Sequence, residues 1–326
     1  MDNLLRIQDL TQVFGTRNPN YAVDRVSFSM PDEPSILSLV GESGSGKSTI
    51  ARIALGLMKP TSGKVYFKGT DIFTGDRKWQ KQFRRDVQPV FQDPYSAFNP
   101  AYRLKRVFNI AVRNFDLAQD QRKAQARIEE SLDSVGLDPD DVLDKYPHQL
   151  SGGQRQRVML ARLHLIRPRL IIADEPVSMI DASMRASFLK LLVSFRDNLG
   201  ISTLFITHDL TTSMYLGGRI IVLYKGRIME HGDTPDVTRS PQHPYAKLLI
   251  NSIPVADPSQ RWDSMLPASV DSANRASMNR DRCLFAERCG QVMETCWQQE
   301  PRVLPQENAV QRDVACHLYE KTLENN

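Results

Sequence analysis

Gly41-Glu42-Ser43-Gly44-Ser45-Gly46-Lys47-Ser48-Thr49 follows the apolar run Ile36-Leu37-Ser38-Leu39-Val40 and precedes the helical run Ile50 to Leu57. The stretch fits G-x-x-x-x-G-K-[ST], and a strand before it with a helix after it is the setting in which that pattern makes a phosphate loop. Glycines let backbone N–H groups close around phosphate oxygens, and a helix N-terminus adds positive potential. Lys47 is placed to neutralise β- and γ-phosphate charge, and Ser48 offers its hydroxyl to Mg²⁺. Gly41, Ser43, Gly44, Ser45, Gly46, Lys47, Ser48 and Thr49 are therefore candidate ATP-binding residues.

Further along, Leu170-Ile171-Ile172-Ala173 runs into Asp174-Glu175-Pro176. A buried strand that ends in two carboxylates suits nucleotide hydrolysis: Asp174 can hold Mg²⁺, and Glu175 can orient and deprotonate the attacking water. A third apolar run, Thr203 to Thr207, ends at His208-Asp209, and Arg219 to Tyr224 followed by Gly226-Arg227-Ile228 predicts a hairpin closing the sheet. Helical patterns lie between these runs. Gln121 to Val135 carries Ala124, Ile128, Leu132 and Val135 at helical spacing with Gly136 as a C-terminal cap. Strands alternating with helices predict an α/β fold with a parallel sheet and helices on its faces, and the closing hairpin makes the sheet core mixed. Pro258 to Asn279, rich in Asp, Ser, Arg, Asn and Ala without periodicity, predicts a linker.

Bulk composition narrows the function. At 326 residues and 41% hydrophobic content the chain can bury a large core, and 42 basic against 38 acidic residues give a net charge of +4. That balance argues against a nucleic-acid partner. The N-terminus, MDNLLRIQDLTQVF, lacks the basic and then apolar regions of a signal peptide, which predicts a cytosolic chain. The longest apolar runs have strand length and fall short of the roughly 18 residues that span a bilayer, so any membrane association is expected to run through a partner.

Leu150-Ser151-Gly152-Gly153-Gln154 resembles the signature of the ATP-binding cassette (ABC) ATPases and precedes the carboxylate strand as it does there. Ser151 and the amides of Gly152 and Gly153 at a helix start form a second phosphate-binding surface. The resemblance implies that this surface serves the nucleotide of a second subunit, so two subunits are expected to sandwich the nucleotide. The resemblance implies further roles. Gln92, in Phe91-Gln92-Asp93-Pro94, resembles the family's Q-loop and would join Ser48 and Asp174 at Mg²⁺; Asp181, in Ser178-Met179-Ile180-Asp181, resembles the D-loop. His208 resembles the switch histidine, making Glu175 and His208 the candidate catalytic pair. Gln154 joins the ATP-binding set, as does Phe14, which occupies the place of the adenine-stacking aromatic with Tyr21 as competitor. The resemblance covers residues 4 to about 232. It implies a nucleotide-binding domain over 1–232 with a helical subdomain over about 93–165.

Residues 233–326 look like the C-terminal extension of the oligopeptide/dipeptide importer ATPases, through Ser240-Pro241-Gln242-His243-Pro244-Tyr245, Leu248-Leu249, Ser252-Ile253-Pro254 and Val314-Ala315-Cys316-His317. All four cysteines of the chain, Cys283, Cys289, Cys296 and Cys316, lie here in a C-x5-C-x6-C-x19-C spacing. Disulfides are disfavoured for a cytosolic chain, and a zinc site lacks the usual C-x2-C pairs, while unligated thiols and an iron–sulfur cluster remain open. In the importer ATPases the array resembles a 4Fe–4S site. The D-loop departs from that group's usual Ser-Ala-Leu-Asp, and its Met179 is similar to members that import oligosaccharides, which keeps a sugar importer as the alternative. The resemblance thus implies an ATPase subunit on the cytoplasmic face of the membrane. Its expected partners are a second, related but different ABC ATPase subunit, two transmembrane permease subunits and an extracellular solute-binding protein. A non-transport ABC ATPase would call for a long coiled coil or tandem cassettes, which the sequence lacks, and the extension argues against an exporter.

Overall fold

Strands that must be covered on both faces read as unbroken apolar runs, and three such runs form the middle of the main sheet. The computed structural model describes residues 3–93, 98–253, 280–305 and 312–320; the linker expected over 258–279 lies outside the described residues. In chain order the strands are β1 (Asn3–Phe14), β2 (Asn20–Pro31), β3 (Ile36–Val40), β4 (Ser62–Phe67), β5 (Thr70–Asp71), β6 (Val87–Val90), β7 (Leu170–Asp174), β8 (Ser202–Thr207), β9 (Arg219–Tyr224), β10 (Arg227–Asp233), β11 (Val303–Pro305) and β12 (Asp313–Ala315). The larger sheet runs β11-β12-β10-β9-β3-β8-β7-β6, and its β9-β3-β8-β7-β6 portion is parallel. A second, antiparallel sheet runs β2-β1-β4-β5.

Because side chains alternate across a strand, the central strands feed two different cores. Leu170, Ile172, Leu204 and Ile206 pack with β1, β2 and the helix Lys47–Ala54 between the two sheets. Ile171, Ala173 and Phe205 point the other way, into a core built by the helices Leu104–Phe115, Gln121–Asp133, Gly152–Ile166 and Ala182–Leu199. The helix expected over Gln121–Val135 ends at Asp133, capped by Asp120 at its start, with Gly136 in the left-handed region at φ 71° just beyond it. Each fully buried aliphatic side chain in these layers contributes roughly 1.5 to 3 kcal/mol.

The hairpin β9–β10 forms as expected but does not close the sheet. An antiparallel hairpin leaves the outer edge of β10 with unpaired N–H and C=O groups, and β12 takes that edge through the pairs Glu230↔Val314 and His231↔Asp313. A third core then joins the strands to the chain beyond residue 232: Val40, Ile220, Val222, Tyr224 and Met229 pack with Val237, Tyr245, Leu284 and Phe285. The C-terminal extension is part of the same body as the sheet.

One buried carboxylate ties this seam. Glu230 on β10 has no exposed surface, and it accepts from Gln242 N at 3.1 Å, His243 N at 2.8 Å and Arg312 Nε at 3.1 Å. His243 Nδ1 accepts from Tyr245 N at 3.0 Å and so caps the helix Pro244–Asn251, with Pro244 at its first position, where a missing N–H costs nothing. Burial pushes the His243 imidazole down to about 3 and keeps it neutral.

Replacing Glu230 by Gln leaves the Arg312 guanidinium buried without its counter-charge, and a loss of about 3 to 5 kcal/mol is expected, read as a lower urea midpoint. A second outcome follows from His243. The unfolded imidazole takes up a proton near pH 6.5, whereas the folded one does so only near 3, so its contribution is whole above pH 6.5 and is withdrawn as pH falls toward 3. Between pH 7.5 and 5.5 the wild type should lose about 1.4 kcal/mol more than His243→Gln in urea titrations.

Candidate nucleotide site

Parallel pairing aligns the strand ends. Val40 stands beside Thr207, and Asp174 beside Ile206, so Gly41, Glu175 and His208 all emerge at the carboxyl edge of neighbouring strands β3, β7 and β8. Open α/β sheets place ligands at that edge. Gln92 lies two residues past β6, the neighbour of β7, and is exposed on the same side.

The loop from Gly41 to Thr49 needs its glycines for contact as well as for conformation. Gly41 at φ 153° and Gly46 at φ 107° occupy backbone that L side chains rarely adopt; an added Cβ would stand 2.1 Å from the Leu223 and Ala22 carbonyl oxygens, respectively. Gly46 is the residue before the helix Lys47–Ala54, which directs that helix's free N–H groups into the loop. Lys47 is 4% exposed, and its Nζ donates to Gly41 O at 2.8 Å, Glu42 O at 2.9 Å and Ser45 Oγ at 3.3 Å. Burial pulls the ammonium below its ordinary value, against the upward pull of Glu175, Asp174 and Glu42. A cleft of about 260 Å³ is lined by Ser43, Gly44, Gly46, Lys47, Ser48 and Thr49, with Glu175 and Phe14 on its walls. Phe14 lines the cleft with 41% of its surface exposed; Tyr21 is comparably exposed at 37% but is not among the cleft's lining residues, and the Arg280 guanidinium lies 4.9 Å from its ring.

Ser48 and Asp174 are 126 positions apart in sequence, yet Ser48 Oγ donates to Asp174 Oδ1 at 3.0 Å. Burial, with the neighbouring Glu175 charge adding to it, raises the Asp174 carboxyl above its usual range, while the Ser48 hydroxyl and Lys47 oppose the rise. A hydroxyl and a carboxylate oxygen converging where the anion is disfavoured is a donor set that fits Mg²⁺, whose charge would relieve that cost. Next to them, Glu175 sits at φ 47°, a left-handed conformation that costs a non-glycine residue roughly 1 to 2 kcal/mol. Its backbone is held by Glu175 N donating to Ile206 O at 2.9 Å and Ser178 Oγ donating to its carbonyl at 3.0 Å. His208 Nδ1 lies 3.2 Å from Glu175 Oε1, which brings the candidate catalytic pair together.

The signature residues stand elsewhere. Ser151 caps the helix Gly152–Ile166 by a reciprocal box: its Oγ accepts from Gln154 N at 3.2 Å, and its N donates to Gln154 Oε1 at 3.0 Å. Beside Gly152 there is open space, while Gly153 is approached by the Met184 methyl. Ser151, Gly152, Gly153 and Gln154 do not line the phosphate-loop cleft. Asp181 likewise caps a helix, Ala182–Leu199, accepting from Met184 N at 2.9 Å and from Ser183 Oγ at 2.7 Å.

The four cysteines gather around one turn and the end of β12. Cys283 N donates to Cys296 O at 3.0 Å, Gln291 N points to Cys289 Sγ at 3.4 Å, and Met293 N to Cys296 Sγ at 3.5 Å. Burial pushes Cys283 and Cys316 up to about 11 and also raises Cys289, and in each case neighbouring thiols add to the shift. Among the described residues no group of three or more His, Cys, Asp or Glu is arranged to hold a single metal ion. Sequence reasoning missed Tyr245 and Arg288, whose side chains reach the phosphate loop through Glu42. The only signal was the His243-Pro244-Tyr245 run, which in sequence says nothing about its partner.

The ABC transporter family profile matches residues 23–178, and the profile of the oligopeptide/dipeptide transporter, C-terminal region, matches residues 229–296. The oligopeptide transport ATP-binding protein AppF of Bacillus subtilis (strain 168) is 35% identical over 330 residues, covering 98% of both chains. YkfD of the same organism, also named for oligopeptide transport, is 37% identical over 97% of this chain and 95% of its own. Among solved structures, the dimeric ATP-binding cassette MJ0796 in a post-hydrolysis state with ADP and Pi has a TM-score of 0.62 at 27% identity, covering 71% of this chain and 98% of that one. The chain belongs to the ABC transporter ATPases, in the branch that carries the oligopeptide/dipeptide transporter C-terminal region.

Proposed function

We propose that this chain is the ATP-hydrolysing subunit of an importer for oligopeptides or dipeptides. The observation that carries the reading is a similarity to peptide-transport ATP-binding proteins that runs the whole chain, extension included, together with a phosphate loop, Mg²⁺ donors and a Glu–His pair on one sheet edge. In this reading the loop amides from Gly41 to Thr49 and Lys47 hold the phosphates, Phe14 stacks on adenine, and Ser48, Asp174 and Gln92 would hold Mg²⁺, which would supply charge neutralisation at the phosphates. Glu175 takes the proton of the attacking water, and His208 orients Glu175 and contacts the γ-phosphate. Ser151, Gly152, Gly153, Gln154 and Asp181 act on the nucleotide of a second ATPase subunit, which explains why the signature stands off the loop cleft of its own chain. That subunit is related but different in sequence; two transmembrane permease subunits hold the pair at the cytoplasmic face, and an external solute-binding protein delivers the peptide. In keeping with this, no helix among the described residues is long and apolar enough to cross a membrane. The oligosaccharide alternative draws no support from the relatives above, whose names refer to peptides.

Residues 1–232 are the nucleotide-binding unit in this reading, with the helical subdomain over about 93–165, and 233–326 the extension. We further assign Cys283, Cys289, Cys296 and Cys316 to a 4Fe–4S cluster. Four soft donors in one small unit, with backbone N–H groups aimed at Cys289 and Cys296, support it, since such bonds to sulfur accompany cluster ligation. A cluster distributes its thiolates over several irons, so it does not require the compact donor set of a single ion.

In the assembled transporter, Glu175→Gln should bind ATP normally and hydrolyse it slower by on the order of 10²-fold or more, with peptide uptake lost in step; near-normal turnover would remove Glu175 from the role. Elemental analysis of anaerobically purified protein should find about four irons per chain, and Cys289→Ser should lose them while retaining ATP binding. A chain holding zinc, or neither metal, would overturn the cluster assignment.

A further inference from the structure

Glu42, the second residue of the phosphate loop, is held at three points. Its carbonyl accepts from Lys47 Nζ at 2.9 Å. Its backbone N donates to the Tyr245 hydroxyl at 3.0 Å. Its carboxylate takes the Arg288 guanidinium as a fork, Nη1 to Oε2 and Nη2 to Oε1, both at 2.9 Å. Two of the three partners belong to the extension, more than 200 positions downstream.

Both extension partners are fixed in place. Tyr245 has no exposed surface and packs on Tyr224 at 4.6 Å and Phe285 at 5.4 Å between ring centroids. The Arg288 side chain is 12% exposed, lies over the Tyr224 and Phe285 rings at 5.8 Å from each, and is anchored by Arg288 N donating to Phe285 O at 3.0 Å. The extension reaches the loop a second way. Arg280 Nη2 donates to Lys225 O at 3.0 Å, and the next residue, Gly226, donates its N–H to Ser45 O at 2.8 Å. A fork of two charge-assisted bonds fixes direction as well as distance, which a single Lys contact does not.

We propose that Tyr245 and Arg288 are positioning residues of the nucleotide site: by clamping Glu42 they fix the carbonyl that orients Lys47 and so set the affinity of the loop for the phosphates of ATP. This rests on the reading of residues 41–49 as the ATP site. The loop holds the phosphates in substrate and transition state alike, so loosening it removes uniform binding; the effect belongs in KM and leaves kcat nearly unchanged. Glu175 and His208, which stand on other strands, keep their geometry.

The test uses the full-length chain for MgATP titration and the assembled transporter for kinetics. Arg288→Gln and Tyr245→Phe should each raise Kd and KM for ATP by about tenfold, with kcat within about twofold, and Arg288→Lys should recover part of the loss. The double variant Glu42→Gln with Arg288→Gln should be no weaker than the worse single variant, because both remove one contact. Lys47→Ala reports separately on the site: it should abolish ATP binding, and normal binding there would sink the functional reading whatever the clamp does. With Lys47→Ala behaving as expected, unchanged Kd and KM in Arg288→Gln and Tyr245→Phe, or additive losses in the double variant, would overturn the clamp. Where an Arg288 or Tyr245 variant fails to fold, Glu42→Gln alone decides, since its partly exposed carboxylate can be neutralised without opening the core.

Discussion

Charge held at the end of a parallel strand has to be matched by its neighbours, and the ammonium of Lys47 is the group around which this molecule is arranged. It is almost fully buried, three oxygens of its own loop receive it, and the carboxylates of Asp174 and Glu175 lie close enough to support its charge. Those carboxylates come from β7, two strands away from β3, and only the register β3–β8–β7 brings them to the same edge. The apolar cores on either side of these strands hold that register, since a slip of one residue would turn every side chain to the opposite face.

The site's second requirement is strain kept in place. Glu175 sits in a left-handed conformation, and hydrogen bonds from Ser178 and to Ile206 hold its peptide there, so its carboxylate faces His208 and the loop instead of following the strand direction. The reciprocal cap of Ser151 and Gln154 does similar work at the signature, fixing a helix start whose Gly152 side is open. That helix start is open and capped and stands away from the chain's own cleft.

The extension is coupled to this machinery by packing and by charge. A shared apolar core, a buried Glu230 bound by Arg312 and by two backbone N–H groups, and the Arg288 and Tyr245 contacts to Glu42 make one continuous path from the cysteine turn to the phosphate loop. Cys289 follows Arg288 directly, which puts its thiol one residue from a loop contact. Asp24 adds a parallel route, buried against Arg227 and Arg280, with its charge held below the usual carboxylate range by those two guanidinium groups in spite of burial.

The loop at 41–49 was legible in the sequence because its pattern is a short run of adjacent residues, whereas the strand ending in Asp174-Glu175, the run at 150–154 and His208 stood out only through their order along the chain and the family resemblance that order carries. The helix after Asp120 was legible for the same reason as the loop: cap, period and terminal glycine are local. The antiparallel sheet of β1 and β2 was not, since register shifts, with Asp9 and Arg25 at positive φ, interrupt the alternation by which a strand is recognised. Nor could local pattern show that β12 would take the edge of β10 or that Tyr245 and Arg288 would meet Glu42, because contacts across two hundred residues leave no periodicity behind. The sequence by itself determined which chemistry this protein performs, through short motifs that name their chemistry from adjacent residues; tertiary structure alone decided how those motifs meet at one sheet edge and that the extension grips the site, because both depend on which distant surfaces the cores bring together.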